Sequence, residues 1–266
     1  MTEPVGVLAP NPSALTGKGT NTYLVGDAGE LVCIDPGPDD AAHLEAILAA
    51  AVPHGRITTI LLSHSHPDHR PLAAALARRT QAPIRCLDPA RGDDGALALR
   101  DGDRVRAGDL TLEAVHTPGH AADHLCFFDA DSAALYSGDH ILSGMTTVVA
   151  PPDGDMSDYM ASLERVRRLR PRVIHPGHGP RVDDALALID EYVAHRLDRE
   201  AQVERAVRER GGAVAPIDVV PDIYAAYPPE LWPFAAMSVR AHLDKLVREG
   251  RARRGGDDGA PTYTIA

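Results

Sequence analysis

Cysteine is scarce in this chain of 266 residues, and its three thiols are scattered. Cys33, Cys86 and Cys126 are odd in number and form no CxxC pair. The pattern therefore predicts neither a disulfide framework nor a zinc site built on cysteine. Because disulfide-bonded proteins belong to oxidising compartments, we expect a reduced, cytoplasmic protein.

Long apolar runs and an excess of basic charge are also missing. No stretch approaches the roughly 18 to 20 apolar residues that cross a bilayer. The N-terminal segment MTEPVGVLAPNPSALTGKGT has neither the basic start nor the apolar centre of a secretory signal. With 38 acidic and 27 basic residues, the formal net charge of −11 disfavours a general attraction to nucleic acids or anionic membranes. We expect no membrane partner, although a local basic patch remains compatible with this balance.

Short apolar runs bounded by turn residues fill the first two thirds of the chain. TNTYLVGDAGELVCIDPGP predicts two strands joined by a turn that contains glycine, and DDAAHLEAILAAAV predicts a helix. RITTILLSH predicts a buried, β-branched strand, and strands with helices between them continue as far as RVIHPGHG. This order predicts an α/β layered domain, a pattern that an ordinary doubly wound sheet would also satisfy.

The last third of the chain has a different pattern. Apolar residues recur at helical spacing from about residue 183 to 210, and PIDVVPDIYAAY and AAMSVRAHLDKLVREG predict two further helices. RARRGGDDGAPTYTIA predicts two short strands around a turn. Three helices and a hairpin are the pattern of a winged helix-turn-helix. We therefore predict a catalytic domain over residues 1–190 and a small winged-helix-like domain over residues 191–266.

The segment LLSHSHPDHR places His64, His66, Asp68 and His69 directly after an apolar run. Side chains two residues apart at the end of a strand point to the same side, and the next two lie on the turn that opens a helix. Imidazole and carboxylate groups that converge in this way suit zinc or a similar divalent cation. A polar loop that is merely rich in histidine is the alternative.

Three later segments repeat this arrangement of an apolar run followed by one potential ligand at a turn that contains glycine. LEAVHTPGH ends in His120, AALYSGD ends in Asp139, and RVIHPGHG contains His178. A single histidine after a glycine is more often a turn residue than a ligand. The set of four segments predicts a metal site where strand ends gather at one sheet edge.

The order HxHxDH, TPGH, SGD and PGHG resembles the metallo-β-lactamase superfamily over roughly residues 5–182. This resemblance implies an α/β protein, a four-layer αβ/βα sandwich with two divalent metal ions at one edge of its sheets. Zinc is the default ion, and manganese or iron can bind the same ligand types. The ligands implied are His64, His66 and His120 for the first metal, Asp68, His69 and His178 for the second, and Asp139 as a bridge.

Further segments are similar to the beta-lactamase-like-protein-2 branch of that superfamily, among them NTYLVG, IDPG, TPGHAADH and HRLDREAQVERAV. That branch includes enzymes that cleave single-stranded RNA and thioesterases that act on acyl carriers. Class B1 β-lactamases carry a cysteine in the second metal site, whereas the comparable loop here supplies Asp139. This departure argues against antibiotic hydrolysis.

The resemblance also implies hydrolysis by a hydroxide that bridges the two metals, which stabilise the negative charge developing on the substrate. Asp68 is predicted to be both a ligand and a catalytic residue that orients the hydroxide. His124 is the second catalytic candidate, beside the metals or facing the substrate, with a buried structural histidine as the alternative. Asp35 in CIDPG is expected to support the metal loops through hydrogen bonds, although a plain turn aspartate is the alternative.

The remaining histidines of interest are expected to lie outside the ligand set. His178 is preferred to His175 because glycines on both sides of His178 permit close approach to a metal. Structural, packing or solvated roles are expected for His116, His140, His175, His195 and His242.

We therefore expect a metal-dependent hydrolase that acts on a small ester, thioester or lactone, free or bound to an acyl carrier. A metal-dependent single-strand endoribonuclease is the alternative, and a metal or redox sensor without enzymatic activity is a third possibility. The modest basic cluster of the tail is diluted by acidic residues, so we expect the tail to shape the substrate cleft or to form a homodimer surface rather than to bind nucleic acid.

Loops around residues 8–20, 143–158 and 225–236 are expected to determine specificity. Three aromatic residues, Tyr227, Trp232 and Phe234, are candidates for the cleft wall. Attachment of the tail to the catalytic domain is the alternative role for these side chains.

Overall fold

Two β-sheets form the centre of the first two thirds of the chain in a computed structural model, which describes residues 3–91, 95–226, 228–257 and 259–266. The first sheet contains, in spatial order, β1 (Val5–Leu8), β2 (Asn21–Asp27), β3 (Gly29–Ile34), β4 (Gly55–Leu61), β5 (Ile84–Cys86) and β6 (Leu97–Ala98). The second contains β11 (Val173–Pro176), β10 (Ala134–Gly138), β9 (Leu125–Asp129), β8 (Leu110–His116) and β7 (Arg104–Ala107). The pairs from β3 to β6 and the pair β10–β11 are parallel, and the others are antiparallel.

Helices cover the outer face of each sheet, which makes four layers. They are α1 (Ala41–Ala51), α2 (Ala73–Thr80), α3 (Met156–Arg168) and α4 (Ala185–Arg210). Ile47 and Leu76 of the first two helices pack on the first sheet, and Tyr159 and Ile189 of the other two pack on the second. Between the sheets lies a third apolar cluster, which includes Phe127. The predicted αβ/βα sandwich is confirmed. None of the helices within the described ranges is long and apolar enough to cross a membrane.

The tail forms a winged helix, as predicted. It contains α5 (Val220–Ile223), α6 (Trp232–Arg248), the antiparallel strands β12 (Ala252–Gly255) and β13 (Thr262–Ile265), and short 3-10 turns at Pro216–Val219 and Pro229–Leu231. Residues from α4 and α6, among them Val203 and Leu243, pack around the buried ring of Tyr263. The helix predicted over PIDVVPDIYAAY is shorter than expected because its prolines cannot continue a regular helix.

Carboxylates hold the starts of two helices and attach the tail to the sandwich. Asp40 caps α1, where it accepts a hydrogen bond from the backbone N–H of His43 at 2.7 Å. Asp155 caps α3 in the same way and also accepts a hydrogen bond from Arg248 of α6 at 2.8 Å. The same side chain therefore begins a helix of the sandwich and binds the winged helix to it.

The buried face of α4 differs from the apolar pattern in the sequence. Leu197, which the pattern places on the apolar face, is 52% exposed, whereas Arg196 is only 3% exposed. The guanidinium of Arg196 donates a hydrogen bond to the carbonyl of Thr147 and lies 5.1 Å from the ring centroid of Tyr159. These partners allow a charged side chain to occupy a core position. The predicted domain boundary at residues 190 and 191 falls within this helix and stays a prediction.

His242 of α6 is a buried titratable group without a hydrogen bond. Its side chain is fully buried, and within the described part of the chain neither ring nitrogen has a partner. Burial, together with the charges of Arg196 and Lys245, lowers its pKa to about 3. Because the pKa of histidine in the unfolded chain is about 6.5, the unfolded state binds more protons than the folded state below that pH. The stability associated with neutral His242 is therefore complete above pH 6.5 and is lost as the pH falls.

We expect His242→Leu to weaken the dependence of stability on pH. Between pH 7 and pH 5, the free energy of unfolding of the wild type should fall by about 2 kcal/mol more than that of the variant. Unfolding curves in guanidinium chloride at the two pH values measure this difference. His54→Leu, which removes an exposed histidine, is the matched control and should behave like the wild type. Equal pH dependence for the wild type and His242→Leu would contradict the prediction.

Candidate metal centre

The predicted ligands meet at the edge where both sheets present strand ends. His64 and His66 follow β4 of the first sheet, and His120, Asp139 and His178 follow strands of the second. Two groups result, within each of which the ligand atoms all lie within 4.8 Å of one another. The first contains His64, His66 and His120, and the second contains Asp68, His69, Asp139 and His178. The structure therefore brings together every residue that the sequence analysis assigned to the ligand set.

One carboxylate faces both groups. Oδ1 of Asp139 lies 3.3 Å from Nε2 of His69 and 3.4 Å from Nε2 of His178, both in the second group. Oδ2 of the same residue lies 3.7 Å from Nε2 of His120 in the first group. Asp68 completes the second group with an Oδ2 that lies 3.1 Å from Nε2 of His178.

Hydrogen bonds fix which nitrogen of His120 and of His178 faces the site. His120 donates from Nδ1 to the carbonyl of Val148 at 2.6 Å, and His178 donates from Nδ1 to the carbonyl of Gly19 at 3.2 Å. A histidine that donates from Nδ1 presents the lone pair of Nε2, which is the form that binds a cation. The Nε2 atoms of these two residues are also the ones that face Asp139.

Asp35 gives the same orientation to two further imidazoles. Its Oδ2 accepts hydrogen bonds from Nδ1 of His69 at 2.9 Å and from the hydroxyl of Ser63 at 2.6 Å. The oxygen of that hydroxyl lies 2.9 Å from Nδ1 of His64 and accepts a hydrogen bond from it. The expected supporting role of Asp35 agrees with these contacts. Sequence analysis missed Ser63, whose position inside LLSHSH carries no signal of this role.

Burial and charge act in opposite directions on the two groups. Burial, together with the neighbouring His120, lowers the pKa of His66 to about 4. Burial also opposes protonation of His178, but the carboxylates of Asp139 and Asp68 outweigh it and raise the pKa of His178 to about 9. Burial likewise opposes ionisation of Asp139, yet His69 and His178 hold the pKa of its carboxyl well below the ordinary value. The second group is therefore built to attract positive charge.

The donor atoms fit divalent cations. Nε2 of His64, Nε2 of His69 and Oδ1 of Asp139 are buried and have no hydrogen-bond partner within the described part of the chain. A buried polar atom without a partner costs about 1–3 kcal/mol, and a cation in each group would supply the missing interaction. Imidazole nitrogens combined with carboxylate oxygens suit zinc and similar ions. The three cysteines are buried, free and outside both groups.

His124 lies behind Asp139 and is fully buried. Its Nε2 accepts a hydrogen bond from the backbone N–H of Asp139 at 3.1 Å, and its Nδ1 lies 2.9 Å from the hydroxyl oxygen of Thr117. Burial lowers the pKa of His124 well below its ordinary value, and the nearby His140 and His120 lower it further. These contacts make His124 a neutral residue that positions Asp139. Its predicted catalytic role stays a prediction.

The histidines expected outside the ligand set are outside both groups. His175 stacks on the ring of Tyr136 at 4.9 Å, and His140 packs against Tyr159 at 5.0 Å between ring centroids. The ring of His116 lies 3.0 Å from the carbonyl of Ala122. His195, for which a solvated or packing role is expected, lines the cleft described next.

Both ligand groups open into a cleft of about 680 Å³. Each of the three loops predicted to determine specificity contributes apolar side chains, among them Leu15, Met145 and Phe234. Phe234 is 40% exposed and Met237 of α6 is 44% exposed, so the winged helix presents apolar surface to the cleft. Trp232 packs instead against the apolar core of the tail, and Tyr227 lies outside the described residues.

Helix α4 forms a further wall of the cleft, which the sequence did not predict. His195, Arg196 and Arg199 of α4 line it. Residues three and four apart share one face of a helix, so the sequence places Arg196 near both Tyr192 and Arg199. It gives no indication that this face turns towards the site.

We expect Gly177→Ala to weaken metal binding without unfolding the protein. A Cβ at this position would lie 2.5 Å from Oδ1 of Asp139 and 2.9 Å from Cε1 of His69, so both side chains must move. Displaced ligands should lower the affinity for the metal about 10-fold or more. Competition with a chelator measures the affinity. Gly6→Ala, where the nearest atom would lie 4.0 Å away, is the matched control, and an equal affinity in both variants would contradict this geometry.

Comparison with known proteins agrees with this architecture. The family model of the metallo-beta-lactamase superfamily matches residues 15–178, and that of the beta-lactamase associated winged helix domain matches residues 216–260. The crystal structure of a metallo-beta-lactamase family protein from Thermus thermophilus superimposes with a TM-score of 0.82. The alignment covers 99% of this chain and 98% of that one at 23% sequence identity.

Curated relatives are similar along most of their length. The chain is 36% identical to the Beta-lactamase-like protein 2 homolog of Drosophila melanogaster, over 94% of this chain and 89% of the relative. It is 30% identical to the Atrochrysone carboxyl ACP thioesterase of Aspergillus fumigatus, over 92% and 81% of the two chains. The protein therefore belongs to the metallo-β-lactamase superfamily and is a hydrolase that carries the associated winged helix domain.

Proposed function

We propose that this hydrolase uses two divalent metal ions to cleave a thioester or a related ester. The main support is the position of Asp139, whose two carboxylate oxygens face the two ligand groups. In this proposal His64, His66 and His120 would hold the first ion, Asp68, His69 and His178 would hold the second, and Asp139 would contact both. Zinc suits these ligands best, and manganese and iron are the alternatives.

The chain's own residues would position the ions, the water and the substrate. When bound, the two ions supply an activated water as the nucleophile and polarise the carbonyl oxygen of the substrate. Burial opposes ionisation of Asp68, but its hydrogen bond with His178 lowers its pKa, so Asp68 is a carboxylate at neutral pH. Asp68 also lines the cleft, where it can accept a hydrogen bond from the attacking water and orient it. His124 holds the backbone of Asp139 in place.

The cleft favours an apolar acyl or aromatic group next to the scissile bond. Leu15, Met145 and Phe234 line it together with the ligand groups, and burying an apolar substrate against such side chains is favourable. Water would add to the carbonyl carbon, the bond to sulfur would break, and the products would be a carboxylic acid and a thiol. A thiolate of low pKa leaves readily, so a thioester makes a small demand on general acid catalysis. The similarity to a curated ACP thioesterase supports the same substrate class.

Ion pairs weaken the case for an endoribonuclease. In the tail, Lys245 lies 2.7 Å from Glu200, and Arg251 lies 2.7 Å from the same carboxylate. Arg248 pairs with Asp155 of the sandwich. Basic residues that are neutralised within the protein offer little charge to a phosphate backbone.

We expect Asp139→Asn to lose both metal and activity. The substitution removes a negative charge that both ligand groups need, so the metal content should fall and hydrolysis of thioesters should decrease by at least about 100-fold. Elemental analysis and a thiol-release assay measure the two effects. The control is Asp39→Asn, an identical change at an exposed position. Normal turnover by metal-free Asp139→Asn would refute the metal assignment.

We also expect weak binding to single-stranded RNA, with little dependence on salt. Anisotropy of a labelled oligonucleotide at about 50 and 200 mM salt measures the slope, because each neutralised phosphate contributes to it. A steep loss of affinity, accompanied by metal-dependent cleavage of the strand, would instead favour the endoribonuclease.

A further inference from the structure

One wall of the cleft carries a guanidinium that no carboxylate of the described residues neutralises. Arg199 of α4 lines the cleft beside Arg196 and His195. Its Nη1 donates to Oε1 of Gln202 at 2.8 Å and to the carbonyl of Ile223 at 3.2 Å. Both acceptors are neutral, so these hydrogen bonds hold the side chain without cancelling its charge.

Two other arginines of α4 are neutralised by carboxylates. On the same helix, Arg208 pairs with Glu204 at 2.8 Å and Arg210 pairs with Asp222 at 2.7 Å. Arg199 therefore keeps a charge that these two side chains share with an acidic partner. Since the whole chain is strongly acidic, with a formal net charge of −11, a carboxylate partner would have been easy to supply.

Arg199 is also fixed in position. Its Cζ lies 4.3 Å from the ring centroid of Tyr224. Gln202, which accepts a hydrogen bond from Arg199, donates in turn to Oδ2 of Asp198 at 2.7 Å. Stacking on an aromatic ring and hydrogen bonds from one nitrogen pre-organise the planar guanidinium. A guanidinium held in this way can bind a carboxylate or a phosphate through its remaining N–H groups.

The pKa of the neighbouring His195 is consistent with a positively charged environment. Burial lowers the pKa of His195, and the charges of Arg196 and Arg199 lower it further. Asp198 and Glu191 act in the opposite direction but do not reverse the shift. The α4 wall therefore combines apolar neighbours with an excess of positive charge.

We propose that Arg199 determines specificity by binding an anionic group of the substrate, a carboxylate or a phosphate, while the apolar walls hold the acyl or aromatic part. This inference rests on the proposed function, because it specifies the substrate class of the same cleft. The preferred substrate is then an ester or thioester with an anionic group that an apolar segment separates from the scissile carbonyl. The anion can belong to the acyl part as a carboxylate or to the thiol part as a phosphate.

Three matched thioesters distinguish these sources. Hexanoyl-N-acetylcysteamine is neutral, the N-acetylcysteamine monothioester of adipic acid adds a carboxylate at the same chain length, and hexanoyl-coenzyme A adds phosphates on the thiol side. We expect the metal-loaded wild type to prefer one of the two anionic substrates in kcat/KM. Arg199→Gln should reduce this preference over the neutral substrate about 10-fold or more. A selective loss for adipoyl identifies the carboxylate, and a selective loss for coenzyme A identifies the phosphate.

Two variants separate the role of Arg199 from a general effect of charge. Arg205→Gln removes one exposed positive charge from the same helix and should keep the wild-type preference. Arg199→Lys keeps the charge but loses the planar fork, so its preference should fall between those of the wild type and Arg199→Gln. Equal preferences in the wild type and Arg199→Gln, or equal losses in Arg205→Gln, would overturn the proposal.

A binding measurement tests anion binding by Arg199 independently of thioester hydrolysis. Titration calorimetry of the metal-loaded protein with coenzyme A and with adipate reports binding of the anion without turnover. Weaker binding of either probe to Arg199→Gln than to Arg205→Gln supports the anion site, and equal binding overturns it. If the wild type hydrolyses none of the three thioesters, the proposed function fails, and the titration still decides the role of Arg199.

Discussion

The carboxylate of Asp139 faces two ligand groups, each of which draws side chains from both sheets, and the edge of the sandwich is arranged around it. Its oxygens lie 3.3 Å from His69 and 3.7 Å from His120. A buried carboxylate is stable only when positive charge or hydrogen bonds compensate for its burial. His124 supports the backbone of Asp139 from behind, and Gly177 leaves the space that the carboxylate occupies. Asp139, which follows a strand of the second sheet, therefore interacts with histidines that follow the first sheet.

Asp139 supplies negative charge to the two ligand groups, whereas Asp35 orients the imidazole rings. Asp35 accepts hydrogen bonds from His69 and, through Ser63, fixes His64, so that the Nε2 atoms of both rings have no competing partner within the described part of the chain. The supporting residues Asp35 and Ser63 follow strands of the first sheet, whereas the cleft walls come from loops, α4 and the winged helix. Because the metal ligands and the cleft walls lie on different elements, the ligands can stay on a rigid scaffold while the walls determine which substrate binds.

The helix α4 connects these two parts. It begins on the second sheet, where Ile189 belongs to the apolar core, and it ends within the core of the winged helix, where Val203 is buried. Between those positions it presents Arg196 and Arg199 to the cleft. Winged helices are often considered as modules that bind nucleic acid. Here the internal ion pairs of the tail and the exposed apolar residues Phe234 and Met237 favour a role in shaping the cleft.

The pattern of the sequence by itself predicted an α/β layered domain, a winged-helix tail and a metal site at one sheet edge, whereas the four-layer sandwich and the assignment of the ligands came from the resemblance of its motifs to the metallo-β-lactamase superfamily. The segments that carry the ligands follow apolar runs at turns, and in a layered α/β fold the ends of strands gather at the edges of the sheets. Only the tertiary structure decided that Arg196 is buried and that Arg199 faces the cleft. Helical periodicity assigns charged residues to solvent, whereas the burial of Arg196 depends on the carbonyl of Thr147 and the ring of Tyr159. These partners are distant in the sequence, so no local pattern can reveal the contact.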